Sequence, residues 1–352
     1  MQLITTSLNK KDMGKFLGVA NGKSPLPVLA NLSLEADDNG LTILATNLES
    51  AVRQTFSAEV TEKGKALVSA KRFVDIVDRL SNDPIAIKME GHSLQISQGE
   101  SIFKLPTPSV DDFPEIRDIL GQEFIVDQAM LCQAIKSVVY AASSDNSRFN
   151  LNTVLVDGKV IVATDGHRLS KNTVTFTSPT NLLIPSSSCY TLLKSFQGSG
   201  NCKVIVSEKW VRVEDDSVAL SVRLTDGDYP QWQKVIPQEK GVSLRINKDE
   251  MLRSVKRILP LILPHDTGIN VNISNNKLEI SKTSEIGSAT DSIPCEFSGD
   301  ISFICNAKYL VECLSNIDDQ EIILSYVKDG SPIIFSPISN ESVIHLVMPM
   351  RK

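Results

Sequence analysis

Aromatic residues are scarce, at 5% of 352 positions, so aliphatic side chains must fill whatever cores this chain builds. At 41% hydrophobic content it has enough of them for several cores, and the length fits two or three domains. Long apolar runs are missing. No stretch approaches the roughly 20 apolar residues of a membrane span, and the run 258–263 is broken by Pro260. Met1 to Lys10 lacks the apolar segment of a signal peptide. The six cysteines fall in no CxxC pair, and Cys189 and Cys313 lie on apolar helix faces, which reads as core thiols in a reducing compartment. A cytoplasmic location is therefore expected. The four histidines (92, 167, 265, 345) show no metal spacing, and no Ser or Cys motif completes a triad. No cofactor, no metal and no catalytic residue is expected.

What is present is a repeat. Asn9 precedes an apolar helical stripe of Met13, Phe16, Leu17 and Ala20; Asp127 precedes Leu131, Ala134, Ile135 and Val138; Asn247 precedes Met251, Val255 and Ile258. A second stripe recurs in step: Phe73, Ile76, Val77, Leu80; Cys189, Leu192, Leu193, Phe196; Leu310, Cys313, Leu314, Ile317. Both series advance by about 120 residues, so one unit is built three times. Each copy is large enough to bury its own core. The Asx residues read as N-caps, with Glu250 placed as a capping-box partner of Asn247.

After the second helix of each copy come period-2 strands. Val204 and Val206 are followed by Val211 and Val213, then Val218, Leu220, Val222 and Leu224. Ile85, Ile87, Met89, Leu94 and Ile96 repeat the pattern in copy one, and Ile322, Leu324 and Tyr326 in copy three. Glu90-Gly91, Asp157-Gly158, Asp165-Gly166 and Asp329-Gly330 supply turns. Each copy is expected to be two helices on antiparallel sheet, an α+β unit, with domains 1–118, 119–240 and 241–352.

Charge is unevenly placed. The six expected helices (9–20, 69–80, 127–142, 186–197, 247–259, 306–315) carry 13 Lys/Arg against 7 Asp/Glu in a chain of net charge −6. Helices favour Lys and Arg in any case, but a basic helical surface with an acidic exterior also suits a polyanion held on one face.

Five segments carry a family resemblance: Ala163-Thr164-Asp165-Gly166-His167-Arg168-Leu169, the terminal Val347-Met348-Pro349-Met350-Arg351, Leu26-Pro27-Val28-Leu29-Ala30-Asn31, Asp112-Phe113-Pro114 and Asp226-Gly227-Asp228-Tyr229-Pro230. In order along the whole chain, they resemble the bacterial DNA polymerase III β subunits, the replication sliding clamps. The resemblance implies three clamp domains per chain and a homodimeric ring, with helices lining the hole and sheets outside. It implies a non-catalytic processivity factor on double-stranded DNA, placed there by an ATP-driven clamp loader and tethering the polymerase III α subunit and other clamp-binding proteins.

Geometry supports two chains. Helices pack roughly 10 Å apart, so six in a circle leave a hole roughly 10 Å wide, and twelve leave roughly 28 Å. Duplex DNA is roughly 20 Å across, so only the second admits it.

By resemblance, a peptide pocket would include Leu151, Thr164, Gly166, His167, Arg168, Leu169, Pro230, Lys234, Val235, Asn306, Leu346, Val347, Met348, Pro349, Met350 and Arg351. Met348 and Met350 would supply an adaptable surface for an extended peptide with a Gln and bulky apolar residues; alternatively, Met348-Pro349-Met350 merely closes the last strand. A hydrolase or transferase using Asp165 and His167 is the catalytic rival, against which Asp165-Gly166 reads first as a turn. A monomeric partner-binding module that is never loaded on DNA is another. The family pattern assigns Lys23, Lys71, Arg72, Arg79, Arg148, Phe149 and Asn150 to DNA, to which charge alone adds Lys248, Arg253, Lys256 and Arg257. Phe103 and Leu105 would face Ile262 and Leu263 across the dimer seam, unless all four are intrachain core. The chain departs from the family at Lys234, at Ser186 and Ser187, and at Lys352.

Overall fold

The computed structural model describes every residue except 9, 21–25, 117, 146, 240 and 352, and gives the backbone alone for Lys10 and Lys11. The expected caps at Asn9, the DNA contact at Lys23 and the departure at Lys352 lie outside the described residues. Among those described are α1 (Lys10–Val19), α2 (Ala70–Val77), α3 (Gln128–Val139), α4 (Ser186–Ser195), α5 (Lys248–Ile258) and α6 (Ala307–Ser315). Asp127 caps α3 by accepting the Met130 amide at 2.7 Å, and Asn247 caps α5 by accepting the Glu250 amide at 2.9 Å. Helix α2 ends three residues before the expected Leu80. There the Arg79 and Leu80 amides turn to the Ile76 and Val77 carbonyls, tightening the last turn.

The apolar stripes point inward, with departures in α1 and α2 and at Leu193 of α4, which is half-buried. In α1, Met13, Phe16 and Val19 are buried at a spacing of three, and that face leaves Leu17 on its shoulder, 41% exposed. Lys15 is buried with them; its Nζ donates to Gln54 Oε1 at 2.7 Å and to Asp12 at 3.2 Å. In α2, Val74 joins Phe73 and Val77 in the core, leaving Ile76 and Leu80 half-buried. Cys189 and Cys313 are fully buried as expected, and burial pushes both thiols up to about 12.

The chain divides into two compact units that do not follow the repeat: Met1–Cys132 with Ser187–Leu224, and Gln133–Ser186 with Thr225–Lys352. The first holds a five-stranded and an eight-stranded sheet, the second an eight-stranded and a four-stranded one, all antiparallel. Each eight-stranded sheet joins consecutive copies. In the first unit, strand Ser50–Phe56 pairs with Val218–Arg223 through Val52↔Leu220. In the second, Arg168–Thr173 pairs with Ile344–Val347 through Leu169↔Leu346. Pairing across the repeat satisfies edges that each copy would leave open, while copy three still buries a core drawn from its own residues, Leu244 to Val347. No helix among the described residues is long and apolar enough to cross a membrane.

Candidate functional site

In the second unit, strand Val160–Thr164 turns into Arg168–Thr173 through Asp165-Gly166-His167. The Asp165 carboxylate accepts the amides of His167 (2.9 Å) and Arg168 (3.0 Å), and the Thr164 hydroxyl donates to the Arg168 carbonyl at 2.6 Å. Gly166 takes φ +90°, which an L side chain would resist. The last strand is fastened beside this turn, where the Met348 amide donates to the His167 carbonyl at 2.8 Å and the Met350 amide to Ile304 at 2.7 Å.

One face of the joined strands carries an apolar cluster of Leu155, Val162, Leu169, Leu183, Trp232 and Leu346, with Tyr229 and Met348 packed at its margin. The segment between strands Val218–Arg223 and Val242–Asn247, a linker, supplies Tyr229 and Trp232. The Tyr229 hydroxyl accepts the Thr164 amide at 3.0 Å, and Val235 beyond it is 44% exposed. Alternation along the strand sends Val347 to the other face, into the core with Leu310 and Phe335. This corrects its expected place in the pocket. Leu169 and Leu346 form floor rather than rim, each almost fully buried, whereas Met348 is half-buried and Met350 40% exposed. Pro230, Lys234, His167 and Arg351 are exposed, and Leu151 and Pro349 half-buried.

Arg168, expected as a group that meets ligand, is instead internal. It is buried between the Asp165 carboxylate, at 3.1 Å from its Nε, and Glu312 of α6. Its guanidinium also lies over the Tyr309 ring at 4.7 Å from the centroid and the Tyr140 ring at 5.4 Å. Burial opposes its charge, but the Glu312 bond and the charges of Glu312 and Asp165 outweigh it and raise the pKa. His167 stacks on Tyr309 with centroids 6.2 Å apart. Asp165 is thus committed to the turn and to Arg168. Asn306 caps α6 through the Lys308 amide, and its Nδ2 donates to Thr267, so its amide is spoken for. The sequence reading missed Trp232, Tyr309 and Glu312, none of which stands in a run that marks it as part of a site.

The basic candidates separate. Lys71 and Arg72 are exposed at the start of α2, and Arg79 beyond its end. Arg253 and Lys256 are exposed on α5; Arg257 is too, but is paired with Asp291 at 2.6 Å. Lys248 does not belong with them, because its side chain is only 11% exposed and bonds Asp249 at 2.8 Å. Arg148 and Phe149 are exposed in the loop before Leu151, whereas the Asn150 amide donates to the Asp228 carbonyl at 2.8 Å. Ser186 donates to Asn152 at 2.7 Å.

Three models of the DNA polymerase III beta subunit match end to end: the N-terminal domain over residues 5–117, the central domain over 125–231 and the C-terminal domain over 233–351. The chain belongs to the DNA polymerase III beta subunit family. It is 26% identical to the beta sliding clamp of Vibrio cholerae over 355 residues, covering 97% of both chains. The beta subunit of Thermotoga maritima is similar across 100% of this chain and 99% of its own, with TM-score 0.90 and 24% identity. A Pseudomonas aeruginosa sliding clamp bound to griselimycin aligns over both chains entirely, with TM-score 0.89 and 25% identity. The fold is therefore three sliding-clamp domains of α+β type, and the chain is a DNA sliding clamp of replication, a processivity subunit rather than an enzyme.

Proposed function

We propose that two copies of this chain close into a ring around duplex DNA, and that the cluster beside Met348 docks extended peptides of replication and repair proteins. The observation that carries the docking reading is the Leu169–Leu346 floor, walled by Trp232 and bordered by the half-buried Met348. It is an apolar trough bordered by strand and linker backbone, which suits alternate side chains of an extended peptide. Lys234 and Arg351 stand exposed near its ends and can meet carboxylates. Partners of this kind are the polymerase III α subunit and the clamp loader.

The DNA surface is assigned to Lys71, Arg72, Arg79, Arg148 and Phe149, with Arg253 and Lys256 added; contacts to phosphate make it blind to sequence. The seam is assigned to the free edge strand Ser101–Pro106, where Phe103 and Leu105 are half-buried and Ile102 is 60% exposed. Its partner is the region of Ile262 and Leu263, although Ile262 also packs on its own core. The domain boundaries are assigned to 118/119 and 240/241, each shortly before a strand that opens the next copy, Gln122–Asp127 and Val242–Asn247. The free, largely buried cysteines favour a cytoplasmic setting.

Titration with a peptide containing Gln, Leu and Phe tests the docking reading. Saturable binding is expected for the full chain, and its loss on removal of residues 348–352. Undiminished binding by the truncated chain would refute it.

A further inference from the structure

The first unit repeats the groove of the second, at a site with different chemistry. Thr46-Asn47-Leu48-Glu49-Ser50 stands 118 residues before Thr164-Asp165-Gly166-His167-Arg168. Its hydrogen bonds are the same. The Thr46 hydroxyl donates to the Ser50 carbonyl at 3.0 Å, and the Asn47 side chain accepts the amides of Glu49 (3.0 Å) and Ser50 (2.6 Å). Leu48 holds φ +74° where Gly166 holds +90°, a conformation that costs a branched side chain energy. The Arg223 amide donates to Glu49 at 2.7 Å as Met348 does to His167. Over both sheets runs a linker of matching pattern, Asp112-Phe113-Pro114-Glu115-Ile116 in one and Asp228-Tyr229-Pro230-Gln231-Trp232 in the other.

The floors differ. Ala51 pairs with Ser221 where Leu169 pairs with Leu346, and both small residues line a cavity of about 460 Å³. Its mouth exposes large apolar side chains: Leu48 (48%), Ile116 (37%) and Leu120 (87%). Trp210 forms part of the wall. The charged residues lining it, among those described, are Glu115 and Asp118. Asp118 meets Arg212 at 3.4 Å but is 89% exposed, so its charge still reaches solvent.

We propose that this cavity is a second docking groove, taking an extended partner segment that alternates bulky apolar residues with Lys or Arg. The apolar side chains enter over Ala51 and Ser221, and the cationic ones meet Glu115 and Asp118 at the mouth. The expectation of an extended ligand rests on the reading of the first groove; the preference for a basic one rests on the lining here.

The chain's two tryptophans, Trp210 and Trp232, sit one in each groove, so each can report separately. The probe is a capped octapeptide alternating Leu and Lys, with a Leu/Glu octapeptide as its counterpart. In a Trp232→Phe variant, the Leu/Lys peptide is expected to change Trp210 fluorescence saturably, with at least tenfold weaker binding of the Leu/Glu peptide. Ser221→Leu, which puts on the cavity floor the residue type that Leu346 supplies in the other groove, and Glu115→Lys are each expected to weaken the Leu/Lys peptide at least tenfold without lowering the melting temperature. No saturable change, or equal binding by both variants, overturns the proposal. A Trp210→Phe variant titrated with the Gln/Leu/Phe peptide reads the first groove alone, so failure of either reading is recognised independently of the other.

Discussion

The guanidinium of Arg168 bonds the carboxylate of Glu312 across 144 residues of chain, tying the groove's turn to helix α6. The contact is nearly dry on the arginine side, and two tyrosine rings complete the enclosure. Arg168 therefore positions the groove from behind.

Arg168→Lys keeps the charge but loses the planar fork and the ring contacts. It is expected to lower stability by about 1–3 kcal/mol, the cost of buried hydrogen bonding left unmade, and to weaken peptide binding through the displaced turn. Urea unfolding measures the first effect; a wild-type midpoint would mean that the pair fastens nothing.

Met348 and Val347 are adjacent but face opposite ways, so their substitutions should separate. Met348→Ala is expected to weaken the Gln/Leu/Phe peptide about tenfold with little change in melting, as for a contact residue. Val347→Ala opens a void in the core and should cost about 1–3 kcal/mol of stability, with the smaller effect on binding. The reverse pattern would place Val347, not Met348, in the groove.

His345 is fully enclosed; its Nδ1 lies 2.9 Å from the Tyr140 hydroxyl and 3.0 Å from that of Ser170, and its Nε2 has no partner among the described residues. Burial pushes its pKa down to about 3. The unfolded chain binds this proton below about 6.5 while the folded one does not, so the stability from neutral His345 is complete above that pH and is lost as pH falls toward 3. Between those limits one proton contributes a slope of about 1.4 kcal/mol per pH unit. In chemical denaturation from pH 4 to 7, His345→Asn should show a shallower dependence than wild type; parallel curves would count against the assignment.

If encirclement holds the protein on DNA, clamps loaded on a nicked circle should survive a high-salt wash and leave after the circle is cut. Loss from the intact circle would show that charge alone retains them. Light scattering should give a dimer of twice 38.6 kDa.

For direct DNA binding, Arg72→Ala and Arg253→Ala should each reduce the salt dependence by about one counterion. Lys248→Ala should leave it unchanged, because Lys248 is engaged with Asp249. An effect of Lys248→Ala equal to the others would mean that its ion pair opens on DNA.

Much of the fold was legible because helical stripes such as Leu131–Val138 and Leu310–Ile317 are local patterns that core packing preserves. Leu17 misled because it stands at a helical spacing from Met13 but on the shoulder of the face, and the buried Lys15 could not be foreseen without Gln54 beside it. Of the groove, the turn at Asp165-Gly166 and the tail at Met348 could be read locally. Trp232 could not, since its burial depends on strand residues distant in sequence on both sides, from Leu155 and Leu183 to Leu346.

By itself the sequence determined the threefold repeat, the helices with their caps and the alternating strands, because each rests on interactions within a few residues. Tertiary structure alone decided that sheets join across consecutive copies, that Arg168 is enclosed rather than offered to ligand, and that a cavity lies over the Ala51–Ser221 pair. Strand partners and enclosure are set by residues more than a hundred positions apart, and no local periodicity carries that information.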